Sequence, residues 1–199
     1  MLVYGAGGHA KVVIDIIEQQ ARYTIAGLLD DDPGLCGKRV YGYRVLGTRA
    51  TAPKLRTGLL RHVVVAVGDN AARLAIAAML ARQGWSFASA VHPRASIARG
   101  VKIGAGSVVM AGAVLNSDAR LGQHVIINTC ASVDHDCRIG SGVHIAPGCR
   151  LCGGVRAGAG TLIGAGCVIT PGVKLGRRVS VAAGSIVTRD LASGLRAAR

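Results

Sequence analysis

The stretch DARLGQHVIINTCASVDHDCRIGSGVHIAPGC, Asp118 to Cys149, sets an aliphatic residue at every sixth place: Leu121, Ile127, Val133, Ile139 and Ile145. Extended both ways, the frame runs from Val91 to Val187 through 17 slots, 16 of them Val, Ile or Leu and the other Ala157. Four places after each aliphatic slot, from Ala95 to Ser185, stand only Ala, Val, Ser, Cys or Thr. One large and one small inward residue per six predicts a triangular parallel β-helix, with three short strands per coil and a corner after each. The hexads make between five and six coils, or about 26 Å of prism at roughly 4.8 Å per stacked strand. Cys137, Cys149 and Cys167 fall in the small slot and read as structural thiols. Glycine follows the aliphatic residue at Gly104, Gly122, Gly140, Gly158, Gly164 and Gly176, where a tight corner calls for a permissive backbone.

The N-terminal part has a different rhythm. MLVYGAGGHAKVVIDIIEQQ reads as an apolar strand, a glycine turn at Gly5, Gly7 and Gly8, and a helix with Val12, Val13, Ile16 and Ile17 on its apolar face. TIAGLLDDD is a second strand ending in Asp30, Asp31 and Asp32, and HVVVAVGDNAARLAIAAMLARQG is a third strand, a turn at Gly68 to Asn70, and a helix. This alternation predicts a small parallel sheet with the glycine turn at its carboxyl edge. Backbone N–H groups at the start of the first helix would face a phosphate, and Asp30 or Asp31 could meet a ribose. With no second mononucleotide half, a single nucleotide fits better than a dinucleotide. The predicted organisation is an α/β Rossmann-like nucleotide or sugar domain over 1–88, an all-β parallel β-helix over 89–190, and a basic tail over 191–199.

Composition narrows the partners. The chain carries a formal charge of +14 and only 3% aromatic residues, so anionic ligands fit, while nucleic acid lacks rings to stack on. The Arg and Lys residues read as scattered rather than clustered. No apolar run approaches the roughly 18 residues of a membrane span, and the chain enters a strand at LVYG without a basic leader, so a cytoplasmic protein is expected. Only Cys149 and Cys152 have CxxC spacing. His124, His135 and His144 are 11 and 9 residues apart, where stacking needs multiples of 18, so no metal is expected.

The hexad frame places His124, His135 and His144 outside the aliphatic slots, so none reads as a core histidine, and a plain solvated corner is open to each. His135 is singled out because Asp134 and Asp136 flank it at a corner. A carboxylate holding one ring nitrogen fixes the tautomer and raises the basicity of the other, as a general base for acyl transfer requires.

The hexad array resembles the left-handed β-helix of hexapeptide-repeat acyltransferases. Together, GAGGHAK and INTCASVDHDCRIGSGVHIAPG make nearly the whole chain similar to the bacterial sugar acetyltransferases of the sialic acid O-acetyltransferase and bacillosamine-pathway N-acetyltransferase group. That resemblance implies the left hand of the helix and a homotrimer with acetyl-CoA bound between neighbouring subunits. It implies His135 as the base, Asp136 as its modulator and Asn128 lining the site. It places the cofactor against His144, Gly153 and Ala165, and the nucleotide or sugar against Gly8, His9, Asp31, Asp32, Gly68, Asn70 and Arg73. The implied reaction is direct attack of a sugar amine on the thioester of acetyl-CoA, with a nucleotide-linked amino sugar as acceptor and surface glycan synthesis as the setting. O-acetylation of a free sialic-acid-type sugar and a non-catalytic nucleotide-sugar-binding role are the alternatives. Arg150, Arg156, Lys174 and Arg177 are all candidates for the CoA phosphates. The family's usual G-x-P-A loop after the last coil is replaced here by ASGLRAAR.

Overall fold

The computed structural model describes residues 1–197, which divide into two compact units, residues 1–90 and the residues from Val91 onward. In the first, strands β1 (Leu2–Tyr4), β2 (Gly27–Leu29), β5 (His62–Val65) and β6 (Ser86–Phe87) form one parallel sheet in the order β2-β1-β5-β6. Between β2 and β5 lie a short antiparallel hairpin, β3 (Arg39–Val40) and β4 (Tyr43–Arg44), and a single helical turn, α2 (Ala52–Leu55). The central strands β1 and β5 are apolar almost throughout and buried, as a parallel sheet demands. Helix α1 (Gly8–Gln20) buries Val13, Ile14, Ile16 and Ile17, whereas Val12, expected on that face, is 40% exposed. Helix α3 (Asn70–Arg82) buries Ile76, Ala77 and Leu80. The carboxyl ends of β1, β2 and β5 thus bring Gly5, Asp30 and Ala66 to one edge of the sheet.

The second unit is a parallel β-helix of three sheets, with 18 residues between partners: Ser132 pairs with Val114 and Arg150, Arg138 with Arg120 and Arg156, His144 with Ile126 and Leu162. The first sheet contains His144–Ile145, the second Ser132–Val133 and the third Arg138–Ile139, with seven, six and five strands respectively. The strands from Ala90–Val91 to Ile186–Val187 each end on a residue of the sixfold frame, and from Val109 onward these pack with the small-slot residues into one continuous core. The buried thiols donate to backbone carbonyls, Cys149 Sγ to Gly164 O at 2.9 Å and Cys137 Sγ to Cys152 O at 3.2 Å. Burial pushes both thiols up to about 11, which keeps them protonated and inert.

Two sequence expectations change. The glycines after the aliphatic residue do not supply positive φ; they supply closeness. A Cβ at Gly158 would stand 2.5 Å from the Gly176 carbonyl carbon in the next coil. The left-handed corner lies two places further on, where Gly142, Gly148 and Gly160 have φ near +70° and Asp118, His124, Cys130 and Asp136 hold the same conformation without being glycine. The expected tail from 191 also continues the solenoid: Leu191 bridges Leu175, and Arg196–Ala197 pair with Ser180–Val181. Those partners are 16 residues apart instead of 18, so the six-residue count from Val187 misses them; Ala198 and Arg199 lie outside the described residues.

Candidate active site

His135 stands on the corner between the second and third sheets, two residues past Val133, and its side chain is 61% exposed. Its Nδ1 donates to Asp136 Oδ2 at 2.9 Å, which leaves the lone pair on Nε2. Asp136 can turn back to its neighbour because it holds φ 60°, a conformation that Asp tolerates. Asp134 fixes the backbone: its Oδ1 accepts from His135 N at 2.8 Å and from Asn116 Nδ2, one coil earlier, at 2.9 Å. The hydrogen bond to Asp136, and after it the charge of Asp134, raise the His135 pKa above its ordinary value. The same contacts lower that of Asp134, with the backbone N–H of His135 the largest cause.

Gly153 lies one coil beyond His135, and a Cβ there would be 2.5 Å from His135 Nε2. The glycine leaves the imidazole room to lie across the next coil. Asn128 and His144 form a second polar pair: Asn128 Nδ2 donates to His144 Nε2 at 3.2 Å, so the His144 proton sits on Nδ1. Asn128 Oδ1 also accepts from Thr129 N at 2.8 Å, which orients the amide. Ala165 is exposed on a corner one coil beyond Pro147. The pair His135–Asp136 and the pair Asn128–His144 thus occupy different sides of one prism: the first follows a second-sheet strand, while His144 stands on the first sheet. His124, read as a non-core histidine, does stand on a corner with φ 56° but is buried there, only 5% exposed.

In the N-terminal unit a cavity of about 410 Å³ opens at the carboxyl edge of the sheet, lined by Gly7, Gly8, His9, Asp30, Asp31 and Gly68 among others. Gly5 serves the turn, with φ +118° and only 2.5 Å between a Cβ and Ala66 O. Gly7, Gly8 and Gly68 do not: a Cβ at any of them would meet nothing within 4 Å, and Gly7 has φ −82°. Their bareness leaves space for a ligand against the main chain. Helix α1 has no side-chain cap and no acid in its first turn, whereas α3 is capped by Asp69, which accepts from Ala72 N at 2.8 Å. The anion-seeking end is therefore that of α1.

Other expected contacts are redirected. Asp31 is held by Tyr4 Oη at 2.6 Å and by Arg49 at 2.5 Å, and the Arg49 guanidinium is the largest cause of its lowered pKa. Asp32 does not line the cavity; its Oδ1 caps the turn, accepting from Gly34 N at 2.8 Å. Asn70 and Arg73 do not line the cavity. Arg73 is fully buried, donating to the carbonyls of Val67 and Gly68 and to Asn70 Oδ1, and burial lowers its pKa to about 10. It shapes the Val67–Asn70 turn from behind. Asp30 accepts from Ala6 N at 2.8 Å and joins Asp31 on the cavity wall. Tyr4, Arg49 and Asn116 escaped the sequence reading; Asn116 alone left a signal, its place 18 residues before Asp134. Among the described residues no group of three or more His, Cys, Asp or Glu could hold a metal ion, and no helix is long and apolar enough to cross a membrane.

Known proteins share both halves. Residues 1–80 match the PglD N-terminal domain, residues 94–117 the hexapeptide repeat of succinyl-transferase, and residues 118–153 and 158–189 the bacterial transferase hexapeptide. UDP-N-acetylbacillosamine N-acetyltransferase of Bacillus subtilis (strain 168) is 34% identical over 116 residues, 55% of this chain and 50% of that protein, so the match spans half the curated relative. PerB of Caulobacter crescentus, solved with CoA and GDP-perosamine, is 39% identical with TM-score 0.92 over 97% of this chain and 90% of its own. The acetyltransferase domain of PglB from Neisseria gonorrhoeae FA1090, solved with acetyl coenzyme A, is 35% identical with TM-score 0.89 over 97% and 92%. With a parallel α/β domain carrying a glycine-lined cavity, a left-handed hexapeptide β-helix, and similarity running the length of both, the chain belongs to the bacterial sugar acetyltransferases of the PglD type.

Proposed function

We propose that this protein transfers the acetyl group of acetyl-CoA to the amino group of a nucleotide-linked sugar, in the service of surface glycan synthesis in the cytoplasm. The observation that carries the reading is the His135–Asp136 pair, with Nδ1 engaged and Nε2 bare beside Gly153. PerB, solved with CoA and GDP-perosamine, supplies the substrate classes. The glycine-lined cavity suits the nucleotide phosphate, with the main chain at Gly7 and Gly8 as its seat.

In the proposed reaction His135 Nε2 removes a proton from the sugar amine as its nitrogen attacks the thioester carbonyl, and Asp136 stabilises the imidazolium that forms. The carbonyl oxygen gathers negative charge, which a polar donor such as His144 Nδ1–H can meet. Collapse breaks the C–S bond, releasing the amide and the CoA thiolate, which takes a proton. Gly153, beneath the His135 ring, and the exposed Ala165 set no bulky side chain against acetyl-CoA. Because the His135 pair and the Asn128–His144 pair lie on different sides of one prism, the working site combines His135 of one protomer with Asn128 and His144 of the next, in a homotrimer.

The test is thiol release from acetyl-CoA against UDP- and GDP-linked 4-amino sugars, with free sialic acid as a separate acceptor. Turnover of a nucleotide amino sugar, cut roughly 10²-fold or more in His135→Ala, is expected. Turnover of free sialic acid alone, or an undiminished His135→Ala enzyme, would overturn the reading.

A further inference from the structure

The 18-residue coil stacks five cations into one column. Lys102, Arg120, Arg138, Arg156 and Lys174 are the outward residues of successive strands of the third sheet, in direct register and all exposed. Neighbouring rungs are about 4.8 Å apart, so five like charges span roughly 19 Å. Among the described residues the ion pairs are Arg49–Asp31 and His135–Asp136, so no rung side chain is held in one; at the far end Asp190 follows Lys174 in register, and its Oδ1 accepts from Lys174 N at 2.8 Å. Arg138 Nη1 donates to the Asp118 carbonyl at 2.9 Å, which steadies the middle rung without discharging it. Beside the column runs a shallow groove of about 500 Å³, walled by Arg120, Arg138 and Arg156 and floored by Gly122, Gly140 and Gly158.

Like charges at this spacing repel by design or by function, and nothing in the core requires them. The first and second sheets of a second copy offer no remedy, because their outward columns contain no carboxylate. We infer that the third sheet is a binding groove for a linear phosphate polymer, a function beyond acetyl transfer. Three observations select a bare phosphate thread over other polyanions. The β-helix from Val91 onward contains no Phe, Tyr or Trp, so bases would find no stacking platform. None of the exposed large apolar side chains lies on this sheet, so a bilayer would gain no insertion. Asp118 and Asp136 stand at the corner two residues before Arg120 and Arg138, so a broad anionic surface laid on this face would meet carboxylates as well as cations.

The experiment is titration of the full chain with medium-length inorganic polyphosphate over a NaCl series. Five contacts predict a slope of log K against log salt of about −3.5, taking ~0.7 per phosphate contact. Arg120→Gln/Arg138→Gln/Arg156→Gln should reduce the slope to about −1.4, while Arg22→Gln/Arg39→Gln/Arg82→Gln, which removes the same net charge elsewhere, should leave it unchanged. Thermal melting is the check that both variants fold; Lys102→Gln/Lys174→Gln, at the ends of the column, should give an independent decrement of about 1.4. Equal loss in the off-column variant would mean that binding follows net charge, and the groove would fall as a site. Tighter binding of oligo(dT) or of anionic vesicles with the same rung dependence would also overturn it, as would stoichiometric displacement of polyphosphate by CoA.

Discussion

A histidine on a solvent-exposed corner ordinarily titrates at about 6.5, where neither form dominates at neutral pH. At His135 the bond to Asp136 favours the protonated ring, so the pKa is raised. A general base works only when neutral, so activity is present above that pKa and lost as pH falls through it. The acid limb of kcat/KM is therefore expected above the ordinary histidine value. Asp136→Asn removes the largest cause, so the limb should move to lower pH while the plateau falls, because Nε2 becomes the weaker base. A limb unmoved in a pH–rate profile would mean that Asp136 does not tune the base. Gly153 gives a complementary prediction. Its substitution by Ala pushes a methyl onto Nε2 without meeting a positive φ, so kcat should fall steeply while the melting temperature changes by a few degrees at most. A large loss of stability instead would show that Gly153 serves the coil rather than the imidazole.

At the scale of the element, the glycines separate into kinds that the letter G does not distinguish. Gly5→Ala sets a methyl against Ala66 O in a left-handed backbone and should cost several kcal/mol in denaturant unfolding. Gly8→Ala meets open space, so it should leave stability within about 0.5 kcal/mol yet weaken nucleotide binding in calorimetry. Unchanged binding would remove the ligand from the α1 turn. The sequence made the strands legible because the aliphatic slot recurs without slipping from Val91 to Val187, and it made His135 legible because that frame assigns it a corner. The work of Gly158 was not legible, because a close approach between coils leaves the same letter as a positive φ. The column from Lys102 to Lys174 looked scattered because its members are 18 residues apart and become neighbours only when the coils stack. Arg73 looked like a ligand contact; its guanidinium turns inward to a loop whose path no local pattern announces.

For the whole molecule the decisive issue is whether a protomer holds a complete site. In one prism the Asp136-bound imidazole follows a second-sheet strand and the Asn128-bound imidazole stands on the first sheet, so the two lie on different sides. If neighbouring protomers complete each other, two inactive variants repair each other's defect. His135→Ala keeps Asn128 and His144, and His144→Ala keeps His135 and Asp136. Unfolded together in equal amounts and refolded, they should yield closed trimers in which about one quarter of the sites draw both histidines from intact donors. Thiol release should then recover to roughly a quarter of the wild-type rate, against near zero for either variant alone. The same two proteins mixed without unfolding should stay silent, since exchange needs dissociation. No recovery after co-refolding into trimers would place both histidines' work within one protomer, and the separation seen on the prism would then have to be bridged by the substrate itself.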